Sequence, residues 1–129
     1  MAEALVTGPS AETDMKKTAL FVFNGDPMCF IHVLLNALDM HGRGETVAIV
    51  VEGAATALIP ELERDGHPLH ALWEKTKAAG LVDGACKACS SKTGALETVQ
   101  RLGVPLLGEM SGHPAMARYR EAGYSLITF

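Results

Sequence analysis

The sequence predicts a single-domain α/β protein, a three-layer α/β/α sandwich built on a mostly parallel five-stranded sheet. Three observations point there. Two apolar runs of strand length, Thr18–Asn24 and Glu45–Val51, lack polar alternation, the pattern of strands covered on both faces. Segments with apolar residues at helical spacing separate the strand-like runs, and Gly or Pro punctuates the boundaries. At 129 residues the chain is long enough for one core and too short for two. Strands joined through helices imply right-handed crossovers and a sheet with helices on both faces.

Each element has its own signal. Residues 1–17 mix Ala, Glu, Thr, Ser, Gly and Pro without period and read as a disordered lead-in to a domain over 18–129. After the first strand, Asp26 is placed to cap a helix that Pro27 opens, with Ile31, Leu34, Leu35 and Leu38 recurring until Gly42 and Gly44. The second strand ends at Glu52-Gly53, and Ala54–Arg64 reads as a helix interrupted by Pro60. His67-Pro68 opens another, carrying Leu69, Leu72, Trp73 and Thr76 as far as Gly80. Leu81–Ala85 reads as a weak third strand, Thr93–Leu102 as a helix, and Val104–Leu107 as a short fourth strand. A loop over Gly108–His113, a helix from Pro114 and a fifth strand over Ser125–Phe129 complete the expectation.

Composition narrows the function. A net charge of -4 argues against nucleic acid, whose phosphates need clustered Lys and Arg. No apolar run reaches the roughly 18 residues of a membrane span, and the N-terminal stretch lacks the basic start and apolar block of a signal peptide, so a cytoplasmic location is expected. Three cysteines cannot form a closed disulfide framework, and in a reducing compartment a C-x-x-C reads as redox, sulfur or metal chemistry.

That pair, Cys86 and Cys89, falls at the expected strand-to-helix turn, where an open α/β sheet places its ligands. Ser90, Ser91 or Thr93 is positioned to cap the following helix, and unpaired N–H groups there, with Lys87 and Lys92, would favour a thiolate. The loops after the other strands should converge on the same edge. They bring Asn24, Asp26 and Cys29 from the first connection, and His113, Glu109 and Ser111 from the last. His113, ahead of a proline at a helix start, is the strongest of these supporting residues. A metal at Cys86, Cys89 and His113, with Cys29 in reach, is the minor reading, because no second paired motif completes four ligands. Phosphate-loop and dinucleotide patterns are absent, and no resident cofactor is expected.

Several of these features together resemble the DsrE/DsrF-like family of small α/β proteins. They are the first strand ending in Asn24-Gly25-Asp26, the long helix up to Gly42-Arg43-Gly44, the second strand ending in Glu52-Gly53, and the cysteine turn after the third strand. The resemblance covers about Thr18–Phe129. Cys86 matches the family's cysteine at the end of the third strand, and Cys89 the second position of its C-G-x-C, with Lys87 replacing the Gly. Ser90-Ser91-Lys92-Thr93-Gly94 is only loosely similar to the basic pair and Gly that follow in the family. The resemblance implies a sulfurtransferase-type sulfur carrier working between donor and acceptor proteins, assembled as a homo-oligomeric trimer or hexamer. In it Cys86 would hold sulfane sulfur as a persulfide, Cys89 would accept or resolve it, and His113 would supply charge or a proton. Two other readings stand beside it: a dithiol redox protein cycling Cys86 and Cys89, and a non-catalytic oligomeric subunit with inert thiols.

Overall fold

The computed structural model describes residues 16–129. The expected lead-in lies outside them apart from Lys16 and Lys17, and Lys17 already belongs to the first strand. Five strands, β1 (Lys17–Val22), β2 (Thr46–Val51), β3 (Val82–Cys86), β4 (Leu106–Leu107) and β5 (Ser125–Thr128), form one sheet in the order β4-β3-β2-β1-β5. Every pairing is parallel, so the expected mostly parallel sheet is fully so. The six α-helices among the described residues are α1 (Pro27–Gly42), α2 (Leu58–Leu62), α3 (His70–Ala78), α4 (Lys87–Thr93), α5 (Leu96–Leu102) and α6 (Met116–Glu121). Among the described residues no helix is long and apolar enough to cross a membrane.

Strand order explains how the helices are shared between the two faces. From β1 to β4 the chain moves one strand at a time in one direction, and right-handed crossovers then put every connecting helix on one face. That face holds the larger core: Leu20, Val22, Ile49 and Val51 of the sheet pack with Phe30 and Leu34 of α1, Ile59 of α2, Trp73 of α3 and Val99 of α5. The return from β4 to β5 runs the other way, so among the described residues α6 is the helix that covers the second face. There Tyr119 packs on Ala19, Phe21, Ala48 and Val50, with the Phe21 and Tyr119 rings edge to face at 5.4 Å.

The sequence periodicity holds best where a helix is long. Asp26 caps α1 as expected, its side chain accepting from the Met28 N–H at 2.9 Å with Pro27 in the first turn. Phe30, Val33, Leu34 and Ala37 face the core, whereas Leu35 turns to solvent. Elsewhere the elements are shorter than expected. Ala54–Arg64 is a 3-10 turn over Gly53–Ala57 followed by α2. His67-Pro68 precedes α3 without joining it, and α6 begins at Met116, two residues after the proline. The expected cysteine turn is itself a short helix, α4, which Gly94 in the left-handed region (φ 83°) ends, and the helix expected over Thr93–Leu102 is the shorter α5.

Candidate functional site

The predicted crevice exists at the carboxyl ends of the strands. β3 runs one residue beyond its expected end, and Cys86, its last residue, is also the N-cap of α4. The expected cap was a hydroxyl from Ser90, Ser91 or Thr93, but those residues lie within α4 itself. The cap is the Cys86 sulfur, which accepts the Cys89 N–H at 3.4 Å. This fixes the C-x-x-C as N-cap and third helical residue, on the same side of the first turn.

The third member arrives from the β4–α6 loop. A tight hairpin pairs Met110 with His113, its two central residues, Ser111 (φ 53°) and Gly112 (φ 94°), both left-handed. The Gly112 carbonyl accepts the Ala88 N–H at 2.9 Å, docking the hairpin on the first turn of α4. A Cβ on Gly112 would stand 3.2 Å from that of Ala88, so the close approach needs glycine. Docked in this way, His113 Nδ1 lies 3.1 Å from Cys86 Sγ and 3.8 Å from Cys89 Sγ. Glu109 anchors the other end of the loop: its carboxylate accepts the Ala115 N–H at 3.1 Å and pairs with Arg118 at 2.9 Å. Beside it Tyr119 donates its O–H to Asp83 of β3, tying α6 to the strand that carries Cys86.

The two sulfurs have different environments. Cys86 is fully buried, and Cys89 is half-buried. Burial, with lesser contributions from Cys89 and Glu52, pushes the Cys86 thiol up to about 11. This departs from the expected low-pKa thiolate at Cys86, and the cause is local. The Ala88 N–H is taken by the Gly112 carbonyl, and the one bond that favours a Cys86 thiolate, from the Cys89 N–H, is outweighed by burial. Lys87 and Lys92 extend into solvent, where their charge is screened.

Of the other expected residues, Asn24 and Asp26 shape the first loop, Asn24 Oδ1 accepting the Asp26 N–H at 2.8 Å. Cys29 lies apart from the cluster and lines a separate hollow with His32, Asn36 and Phe129. Ser90 is buried with its hydroxyl unpaired, and Ser91 is exposed. The sequence places Glu52 on this edge, at the end of the second strand, but gives it no role. It is only 6% exposed at the end of β2, none of the hydrogen bonds among the described residues reaches its carboxyl, and burial raises its pKa to about 7. It lines a cleft of about 390 Å³ with His113, Phe23, Met110, Pro114 and Met116. The signal was a lone acid closing an otherwise apolar run, Glu45–Val51, on the active edge. Among the described residues, Cys86, Cys89 and His113 are the one group of Cys, His, Asp and Glu with its ligand atoms gathered, all within 4.8 Å of one another.

Over 97 residues the chain is 31% identical to the uncharacterized protein MJ0733 of Methanocaldococcus jannaschii, an alignment spanning 75% of this chain and 77% of that one. Over a 43-residue stretch it is 40% identical to an uncharacterized protein of Archaeoglobus fulgidus, spanning 33% of this chain and 70% of the other. No family model and no solved structure matches the chain.

Proposed function

We propose that this chain, which belongs to the same family as the Methanocaldococcus jannaschii protein, is a sulfurtransferase-type carrier that takes up sulfane sulfur as a persulfide and passes it to a partner thiol. The convergence of a C-x-x-C and a histidine at the cleft edge of a parallel sheet carries this reading. The resemblance to the DsrE/DsrF-like family, with its cysteine at the end of the third strand, supports it.

The two sulfur environments divide the work. Cys89, half-buried, is the accessible nucleophile, and His113 Nδ1 at 3.8 Å is in position to take its proton. The Cys89 thiolate attacks the outer sulfur of a donor persulfide. A new S–S bond forms, the donor's S–S bond breaks, and the donor leaves as a thiolate that takes up a proton. Sulfur moves at the zero-valent level, so no external oxidant or reductant enters. An acceptor thiolate repeats the attack on the Cys89 persulfide and restores the free thiol. Cys86, protonated and enclosed, orders the turn through its bond from the Cys89 N–H. In this reading the persulfide sits on Cys89 rather than Cys86. The carrier works as a cytoplasmic homo-oligomer between donor and acceptor proteins, and exposed Phe23 and Met110 at the cleft offer an apolar surface for docking.

The test is sulfur transfer from polysulfide to a small acceptor thiol by wild type, Cys89→Ser and Cys86→Ser, each checked for native circular dichroism. The expected result is loss of transfer in Cys89→Ser, with a measurable rate left in Cys86→Ser. Equal transfer by all three would overturn the proposal.

A further inference from the structure

We infer that Cys86, Cys89 and His113 also form a binding site for a thiophilic divalent cation of the zinc class, beside the cleft that His113 and Glu52 line. The site shares Cys89 with the relay, so an ion and a sulfane sulfur are alternative occupants of that sulfur, and either could occur without the other.

The spacing of the donors carries it. A tetrahedral zinc ion with sulfur at about 2.3 Å and nitrogen at about 2.0–2.1 Å requires S···N edges of roughly 3.6 Å. The two S···N separations here, 3.1 and 3.8 Å, bracket that value, and all three donor atoms lie within 4.8 Å. The third edge, S···S, lies within 4.8 Å, and a tetrahedral ion would set it at roughly 3.8 Å.

The surroundings fit a metal thiolate. The Cys89 N–H already points at the Cys86 sulfur at 3.4 Å, the outer hydrogen bond that would orient and steady a ligating sulfur. Cys86 is enclosed, at 0% exposure, where a bare thiolate is costly and a cation replaces the proton. His113 is held through the backbone of its hairpin, by the paired Met110–His113 bonds and the Gly112–Ala88 bond, so its ring is presented before any ion arrives. Two cysteines and one histidine leave one tetrahedral position unfilled, the arrangement of zinc sites that keep an exchangeable ligand. The buried Glu52 carboxyl lines the same cleft as His113, with no hydrogen-bond donor of its own among the described residues. Binding exchanges two thiol protons for the ion: the Cys86 and Cys89 S–H bonds break, two S–M bonds and one N–M bond form, and two protons leave to solvent. No oxidation state changes.

The experiment uses the reduced, chelator-stripped full chain titrated with Zn²⁺ and, separately, Co²⁺. The expected result is one Zn²⁺ per chain, and with Co²⁺ the intense visible bands of a tetrahedral centre together with a thiolate-to-metal charge-transfer band. Cys86→Ser, Cys89→Ser and His113→Asn should each weaken Zn²⁺ binding by about a hundredfold or more. The wild-type Co²⁺ spectrum is informative even where a variant fails to fold. Absence of Zn²⁺ uptake, a weak octahedral Co²⁺ spectrum, or undiminished affinity in a folded His113→Asn would each overturn the site. Sulfur loading is measured on the same stripped protein. Loading without metal binding overturns the metal site alone, and metal binding without loading overturns the relay alone.

Discussion

Replacing Glu52 by Gln should make the chain more stable at alkaline pH and leave it little changed at acid pH. Burial raises the Glu52 carboxyl from 4.5 to about 7. Between those values the folded protein holds a proton that the unfolded chain has released. Wild-type stability therefore falls as pH rises through this window and levels off above it. The rise from 4.5 to about 7, at about 1.4 kcal/mol per pH unit, gives a ceiling of about 3.5 kcal/mol. The carboxyl borders an open cleft, and solvent there brings the expected value to about 1.5–3 kcal/mol. Gln keeps the shape and carries no charge, so the advantage of Glu52→Gln should be near zero at about pH 4.5 and reach that value by about pH 8. The assay is urea denaturation of both proteins under reducing conditions across that range. Other titrating groups act on both proteins and largely cancel in the difference. A constant difference at every pH would refute the assignment of a buried, raised carboxyl to Glu52.

Other consequences follow from the same geometry. Iodoacetamide at neutral pH should modify Cys89 well before Cys86, which is enclosed with its thiol pushed up to about 11, and peptide mapping reads the order. Gly112→Ala forces a side chain into the left-handed region and against Ala88, so it should cost about 1–2 kcal/mol in denaturant midpoint analysis and lower Zn²⁺ affinity by displacing His113. Tyr119→Phe removes the bond to Asp83 and the 3.0 Å contact from Arg118, and should cost about 1–2 kcal/mol by the same measurement.

What the sequence revealed and what it hid divide along physical lines. The buried parallel strands were legible because β1 and β2 are apolar without alternation, and α1 because its cap, proline and apolar spacing agree. Short elements were less legible. The segment after Glu52 carries apolar residues at helical spacing, yet folds as a 3-10 turn and a five-residue helix, because Leu58, Ile59 and Leu62 need only one turn to reach the core. At the site, the C-x-x-C and His113 stood out by residue type and by position after strands. The relative roles of the two cysteines did not, since they depend on burial and on which sulfur caps α4. Asn24, Asp26 and Glu109 were polar residues on the right edge, but they satisfy backbone N–H groups of their own loops. Glu52 was legible as an edge residue but not as a buried acid, because its environment is made by Phe23 and by the distant 110–117 segment, which only the folded chain brings to it.

The central claim is that Cys89 carries sulfane sulfur. It is tested most directly by intact and peptide mass spectrometry of the reduced chain after brief exposure to polysulfide, with alkylation to trap the product. The expected product carries an added sulfur atom on Cys89, removed by reductant, and none on Cys86. Sulfur on Cys86 alone, a plain Cys86–Cys89 disulfide, or no adduct on free thiols would contradict it.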